Sequence, residues 1–198
     1  MASASSVEPA YLPPGVQGAV KILVTGPFGV GKTTLVGALS EIDPLRTEET
    51  MTAAGEDVDD LTGRPHKSTT TVALDFGRIT LSGRLALYLF GTPGQQRFWP
   101  LWEDLSRGAL GAIALVDSRR IEESFDVLGL LEEQRIPFAV AVNLFPDTPP
   151  YPEEELRAAL DLLPGVPILT CDVRDEGAAH RLLIDFVDHL RVGALELS

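Results

Sequence analysis

The segment Gly26-Pro27-Phe28-Gly29-Val30-Gly31-Lys32-Thr33 constrains this chain more than any other. It matches the spacing G-x-x-x-x-G-K-[ST] at every fixed position, and its surroundings suit it. Before it stands Ala19-Val20-Lys21-Ile22-Leu23-Val24, an apolar run with the length and composition of a buried strand. After it, residues 33–42 carry Leu35, Val36 and Leu39 at helical spacing, and Pro44 stops the pattern. A glycine-rich turn between a buried strand and a helix aims successive backbone N–H groups at one anionic group, and the helix N-terminus adds partial positive charge. Such a loop holds phosphates. Gly26, Phe28, Gly29, Val30 and Gly31 supply the backbone, the Lys32 ammonium is expected at the β- and γ-phosphates, the Thr33 hydroxyl on Mg²⁺, and Thr34 at the α-phosphate. The competing explanation, a chance glycine-rich turn, makes the flanking strand and helix a coincidence.

The rest of the chain repeats an alternation of strand and helix signals. Residues 46–68 are polar, contain Gly55, Gly63 and Pro65, and read as a long loop of the kind that carries function in compact domains. Residues 71–81 and 84–90 alternate around Ser82-Gly83 and predict a hairpin. Strand signals follow at 109–116, 138–143 and 166–170. Helical patterns lie at 96–107, 121–134, 153–163 and 176–190. The expected fold is α/β, a three-layer P-loop NTPase architecture with a mainly parallel six-stranded sheet and one antiparallel strand. Residues 1–18, rich in Ser, Ala, Pro and Gly, read as a disordered tail, and residues 19–198 as one domain.

Charge narrows the partners. The 198 residues carry a net charge of −13. No Lys/Arg cluster offsets it, so a nucleic-acid partner is not expected. A single nucleotide, held by backbone N–H groups and one lysine, is not excluded. Cys171 is the one cysteine and permits no internal disulfide, which fits a reducing cytoplasm. No apolar run is long enough to cross a bilayer and the start shows no signal-peptide pattern, so a cytoplasmic location is expected, with any membrane recruitment through a partner.

Two further segments carry a family resemblance. Thr69-Thr70-Thr71-Val72-Ala73-Leu74-Asp75-Phe76 follows the polar stretch, and Gly91-Thr92-Pro93-Gly94-Gln95-Gln96-Arg97-Phe98 follows the hairpin. The first resembles the Thr-Ile-Gly-Val-Asp-Phe of Rab-type proteins and the second the Gly-Gln-Glu-Arg-Phe of Ras-like small GTPases. From about residue 19 to 190 the chain resembles the bacterial branch of that superfamily, the actinobacterial conservon-type GTPases related to the gliding-motility GTPases. The resemblance implies a slow GTPase that binds GTP and GDP with Mg²⁺. It assigns Thr71 to switch I, on Mg²⁺ and the γ-phosphate, with Thr70 as the alternative register. Gly94 would donate its N–H to the γ-phosphate, and Gln95 would orient the attacking water. It also implies a roadblock-type regulator and a sensor-kinase-like membrane complex. Plain β-propensity at a strand start is the competing explanation for the threonines.

One departure from the family pattern matters. Gly91 stands where the Asp-x-x-Gly motif has the aspartate that holds Mg²⁺ through water. Asp117 is one candidate substitute and Asp75 the less favoured one, while a plain helix cap before residues 119–134 is the competing explanation for Asp117.

The base-reading segments also depart. In Asn143-Leu144-Phe145-Pro146-Asp147, Asn143 matches the family's Asn-Lys-x-Asp, but Leu144 takes the lysine position and Asp147 falls one residue late. A one-residue bulge would let Asp147 accept from guanine, and an ordinary turn is the alternative. In Thr170-Cys171-Asp172-Val173, which stands where relatives have Ser-Ala-Lys, a backbone N–H would contact the guanine O6. Trp99 and Trp102 sit three apart after the Gln95 loop, as core or as a partner surface. Arg46, Arg64, Arg97 and Arg107 include no residue that a motif selects as an arginine finger. Two other functions stay open: a nucleotide-binding scaffold with negligible hydrolysis, suggested by Gly91, and an ATP-using P-loop protein, suggested by Leu144 and Pro146.

Overall fold

The computed structural model describes residues 15–53, 68–81, 83–94, 101–146 and 148–196, with backbone alone at 46–53, 68–73, 103 and 194–196. The strands are β1 (Gly18–Thr25), β2 (Leu45–Ala53), β3 (Ser68–Leu81), β4 (Leu85–Gly91), β5 (Ala109–Val116), β6 (Phe138–Asn143) and β7 (Ile168–Cys171). The helices are α1 (Lys32–Leu39), α2 (Trp102–Ser106), α3 (Phe125–Glu133), α4 (Glu153–Ala159) and α5 (Glu176–Glu196), with a 3₁₀ turn at Ile121–Ser124.

The seven strands form one sheet in the order β2-β3-β4-β1-β5-β6-β7. β4, β1, β5, β6 and β7 are mutually parallel, and β3 alone runs against its two neighbours, β2 and β4. The pleat sorts each central strand's side chains to two faces. On one face Ile22 and Val24 of β1, Leu87 and Leu89 of β4 and Ile113 and Leu115 of β5 pack under α1 and α5. On the other, Leu23, Ala112, Ala114, Val140 and Val142 pack with Trp102 of α2, Leu128 and Leu131 of α3 and Leu156 of α4. These near-continuous apolar runs are what a sheet buried on both faces requires.

The α/β class and the single antiparallel strand are as expected. The strand count is seven rather than six, because β2 lies inside the stretch read as a loop. It pairs with β3 from Leu45↔Phe76 to Ala53↔Ser68. Edge pairing supplies its hydrogen bonds without a full apolar face, and Glu49 interrupts the alternation of Leu45, Met51 and Ala53, so period-two reading passes over it. β3 accordingly starts at Ser68, three residues before the expected start. α1 ends at Leu39 rather than 42, where the Ser40 hydroxyl donates to the Ile42 carbonyl and accepts from the Arg78 N–H. Gly77 of β3 permits this close approach, since a Cβ there would lie 2.9 Å from Val36 and 3.0 Å from Ser40. The expected tail at 1–18 lies largely outside the described residues, but Gly18 already belongs to β1.

Candidate nucleotide site

All five parallel strands end at one edge of the sheet, and β1 is where the strand order reverses, with β4 on one side and β5 on the other. Loops leaving strands at such a switch point form the usual ligand crevice of open α/β sheets. Here they are the Gly26–Thr33 segment after β1, Gly91–Gly94 after β4, Asp117 after β5, Asn143–Pro146 after β6 and Asp172–Val173 after β7.

The loop after β1 has the curl that its glycines require. Gly26, Gly29 and Gly31 have φ of 136°, 76° and 112°. Gly31 illustrates the constraint: besides its left-handed backbone, a Cβ would come within 2.9 Å of the Asn143 amide nitrogen and 3.0 Å of Val173. Val30 is buried and anchors the loop in the core, whereas the Phe28 side chain is 73% exposed. The Lys32 ammonium lies across the loop mouth and donates to the Gly26 and Pro27 carbonyls at 2.8 and 2.7 Å. Burial pushes its pKa down to about 8, and the Asp75 carboxylate offsets part of that. Gly94 closes the mouth from the other side. A Cβ on it would lie 2.8 Å from each of Gly26 O, Phe28 N and Lys32 Nζ, so only glycine leaves the cradle open.

Thr33 and Thr34 lie in the first turn of α1, and both face solvent. The Thr33 hydroxyl donates to Asp75 Oδ2 at 2.5 Å. This reverses the order of the two candidate carboxylates. Asp117 is fully buried and turned into the protein: its Oδ1 accepts from the Arg119 N–H and Nε at 3.0 and 2.8 Å, and its Oδ2 from Arg119 Nη2 at 2.7 Å. Those hydrogen bonds hold its carboxyl below the usual aspartate range against the opposing effect of burial. Asp117 is a cap, but of the turn at Ser118–Arg119 rather than of a helix, which starts only at Phe125. The signal in the sequence that could have found Asp75 is alternation, which puts positions 71, 73 and 75 on one face of a strand.

Thr71 is not at Thr33. It sits within the β2–β3 hairpin opposite Thr50, four residues along β3 from Asp75. At about 3.4 Å per residue that places it roughly 13 Å further along the strand. The switch role assigned to Thr71, or to Thr70 in the alternative register, is therefore not assembled in this conformation, because pairing with β2 holds both threonines in an extended hairpin. Gln95 and Asp147 lie outside the described residues.

On the base side, Asn143 is 3% exposed and bridges two loops. Its Nδ2 donates to the Val30 carbonyl at 2.9 Å, and its Oδ1 accepts the Val173 N–H at 3.2 Å. Each end of the amide thus makes one bond to protein, so Asn143 ties the phosphate loop to the segment after β7, and its second Nδ2 hydrogen is the one left for a ligand. The next link is Leu144 N–H to the Cys171 carbonyl at 2.9 Å. Cys171 fills a tight corner, and burial, with Asp172 and Asp175 nearby, pushes its thiol up to about 11, so it is no thiolate at neutral pH. Hydrogen bonds from Arg174 bring the Asp172 carboxyl down to about 2. Sequence reasoning did not find the Arg119 guanidinium, which lies 4.0 Å from the Phe145 ring centroid and roofs the loop after β6. Trp102 is 1% exposed and belongs to the core. Trp99 lies outside the described residues.

Residues 24–192, most of the chain, match the family described as conserved hypothetical ATP binding protein. The chain belongs to that family. A relative within reach by sequence is the uncharacterized protein MJ1339 of Methanocaldococcus jannaschii, 29% identical over 126 residues that cover 63% of this chain and 69% of that protein. In structure the chain is similar to the G domain of the T. maritima FeoB iron transporter, with a TM-score of 0.58 and 22% identity over 86% of this chain and 98% of that one. It is similar to the whole FeoB cytosolic domain in a GDP form, with a TM-score of 0.61 and 22% identity over 87% of this chain, but it spans only 63% of that larger domain. The FeoB G domain from Methanococcus jannaschii gives a TM-score of 0.56 at 13% identity, over 88% of this chain and 99% of that one. At these identities the likeness establishes the fold alone, that of a G domain. Among the described residues no helix is long and apolar enough to cross a membrane.

Proposed function

We propose that this member of the family is a guanine-nucleotide switch of the Ras-like kind, which binds GTP and GDP with Mg²⁺ and hydrolyses GTP slowly to GDP and phosphate. The observation that carries the reading is the phosphate cradle: Lys32 across the mouth, Gly94 against it with no room for a side chain, and a hydroxyl–carboxylate pair at the start of α1. Those hard oxygen donors suit Mg²⁺, which takes one or two protein oxygens and completes its shell with phosphate and water. Bound there, the ion would supply neutralisation of phosphate charge. Thr33 would hold it from α1. Thr71 would join only after the β2–β3 hairpin changes conformation, and that change is what a switch has to supply.

Under this reading Lys32 and the N–H groups of Phe28, Gly29, Val30 and Gly31 bind phosphate, and Thr34 takes the α-phosphate. Gly94 positions the γ-phosphate and Gln95 orients water. Without an arginine finger, turnover is on the order of 10⁻⁴ s⁻¹. Residues 46–71 and 91–107 would carry the nucleotide state to a partner. The resemblance to the conservon branch supports a roadblock-type regulator and a sensor-kinase-like complex in a cytoplasmic setting.

Base choice is where a second reading has support. The family's description speaks of ATP, and Leu144, 39% exposed, stands where G domains of this kind carry lysine. Under the first reading Asp147 and the Asp172 N–H read guanine, and under the second they do not. Titration calorimetry of nucleotide-free protein with GDP, GTP, ADP and ATP separates the two. Guanine nucleotides binding at least ~100-fold tighter, about 2.8 kcal/mol, support the switch. Equal or tighter adenine binding replaces it with an ATP-using P-loop protein. Multiple-turnover phosphate release with Gln95→Ala as control tests hydrolysis: no release in the parent protein means a nucleotide-binding scaffold, and release unchanged in the variant removes Gln95 from the mechanism.

A further inference from the structure

The family pattern leaves a gap at Gly91, and the sheet fills it from the neighbouring strand. Asp75 of β3 and Gly91 of β4 are direct cross-strand partners. A Cβ built on Gly91 would lie 2.9 Å from Asp75 Cβ and 3.2 Å from Asp75 Oδ2. Real Cβ atoms do not approach that closely, so the space that a side chain at position 91 would enter is the space that the Asp75 side chain occupies. From there its Oδ2 reaches the Thr33 hydroxyl at 2.5 Å. It also lies near enough to Lys32 to favour the charged ammonium. The described alternative, Asp117, is fully buried against Arg119 and Arg120.

We propose that Asp75 is the carboxylate of the Mg²⁺ site, moved one strand across the sheet from position 91, and that Gly91 is required so that it fits. The inference rests on the nucleotide-binding reading above. The two positions are equivalent in space because they are direct cross-strand partners, and a Cβ on one would fall against the side chain of the other. A carboxylate from either strand can therefore serve the same ion beside Thr33. Asp75 serves as metal ligand or as acceptor for a metal-bound water, and a purely structural Thr33–Asp75 hydrogen bond would leave nucleotide binding indifferent to it in a Mg²⁺-dependent way.

The test is the ratio of GDP affinity in excess Mg²⁺ to that in EDTA, measured by calorimetry, with ADP run in parallel. Three proteins are compared: the parent chain, Asp75→Asn, and the transposed double variant Asp75→Gly with Gly91→Asp. The expected result is that Mg²⁺ tightens binding to the parent and that Asp75→Asn loses about tenfold or more of that tightening. In EDTA, Asp75→Asn should bind at least as well as the parent, because a negative charge beside the phosphates has gone. That arm also reports that the variant is folded. The double variant should recover the Mg²⁺ effect. Asp75→Asn retaining the parent's full ratio overturns the assignment and leaves the nucleotide reading intact. A parent that binds neither GDP nor ADP overturns both. If the double variant does not fold, the near-isosteric Asp75→Asn decides alone.

Discussion

The phosphate half and the base half of the site are built on different plans. The phosphate half is local: eight consecutive residues supply the curl, the lysine and the hydroxyl, and Asp75 and Gly94 close on them. The base half is assembled from the ends of β6 and β7, and within it Asn143 bridges two loops with one bond from each end of its amide. A local site is as stable as its turn, whereas an assembled one is as stable as the bridge that joins its parts. Damage to the first should remove binding and spare the fold. Damage to the second should weaken both.

The largest effect on binding is expected from Lys32→Ala. It removes a partly buried ammonium that, under the proposed function, would meet two phosphate groups, each such charge-assisted bond contributing about 1.5–3 kcal/mol. Nucleotide affinity should fall on the order of 10²-fold or more by calorimetry, with the melting temperature of the nucleotide-free protein unchanged or raised. A large loss of stability would break the distinction between the halves.

Asn143→Ala should do the reverse. It strands the Val30 carbonyl and the Val173 N–H, at about 1–3 kcal/mol each, so a stability loss of about 2–6 kcal/mol is expected in denaturant unfolding. Affinity for inorganic triphosphate, which has no base, should fall as well, because Val30 belongs to the phosphate loop. An Asn143→Ala protein as stable as the parent would mean that the bridge is not what joins the halves.

Arg119→Ala is a milder probe of the base half. It removes the guanidinium from the Phe145 face, a contact of about 0.5–2 kcal/mol, and takes two of the donors from Asp117. Destabilisation should be largest near neutral pH and shrink in acid. The Asp117 carboxyl is held below its ordinary value, so its contribution is present above that value and lost as pH falls through the lower folded one.

The smallest effect is protonic and belongs to the phosphate half. Lys32 has its pKa lowered to about 8. The folded, nucleotide-free protein therefore binds fewer protons than the unfolded chain between about pH 8 and the ordinary lysine value, and this group's penalty on stability is full below 8 and fades as pH rises. Phosphates favour the ammonium, so binding above pH 8 should take up a proton, up to one per nucleotide. Calorimetry in two buffers of different ionisation enthalpy at pH 8.5–9 measures it. No uptake would mean that Lys32 is already fully charged before nucleotide arrives.

What could be read from the sequence follows the same division. The phosphate loop is legible because its geometry is encoded in adjacent residues, and the buried parallel strands are legible because both of their faces are apolar. β2 was missed because an edge strand is held by backbone pairing more than by a buried side-chain pattern. Asn143 is legible as a motif residue, but nothing along the chain shows that Val30 and Val173 arrive at its two ends. Trp102 reads equally well as core or surface until Leu23 and Leu131 are placed around it.

The Asp75–Gly91 pair has a consequence for how such proteins are recognised. Motifs are written as strings, with each letter tied to its place in the chain. Within a sheet the grammar is two-dimensional: a residue and its cross-strand partner share an address, and a functional group can pass between them if the partner shrinks to glycine. A search that demands aspartate at the head of the Gly91–Gly94 loop scores this chain as defective. A search that accepts a carboxylate on either of two facing strands, with glycine on the other, scores it as complete.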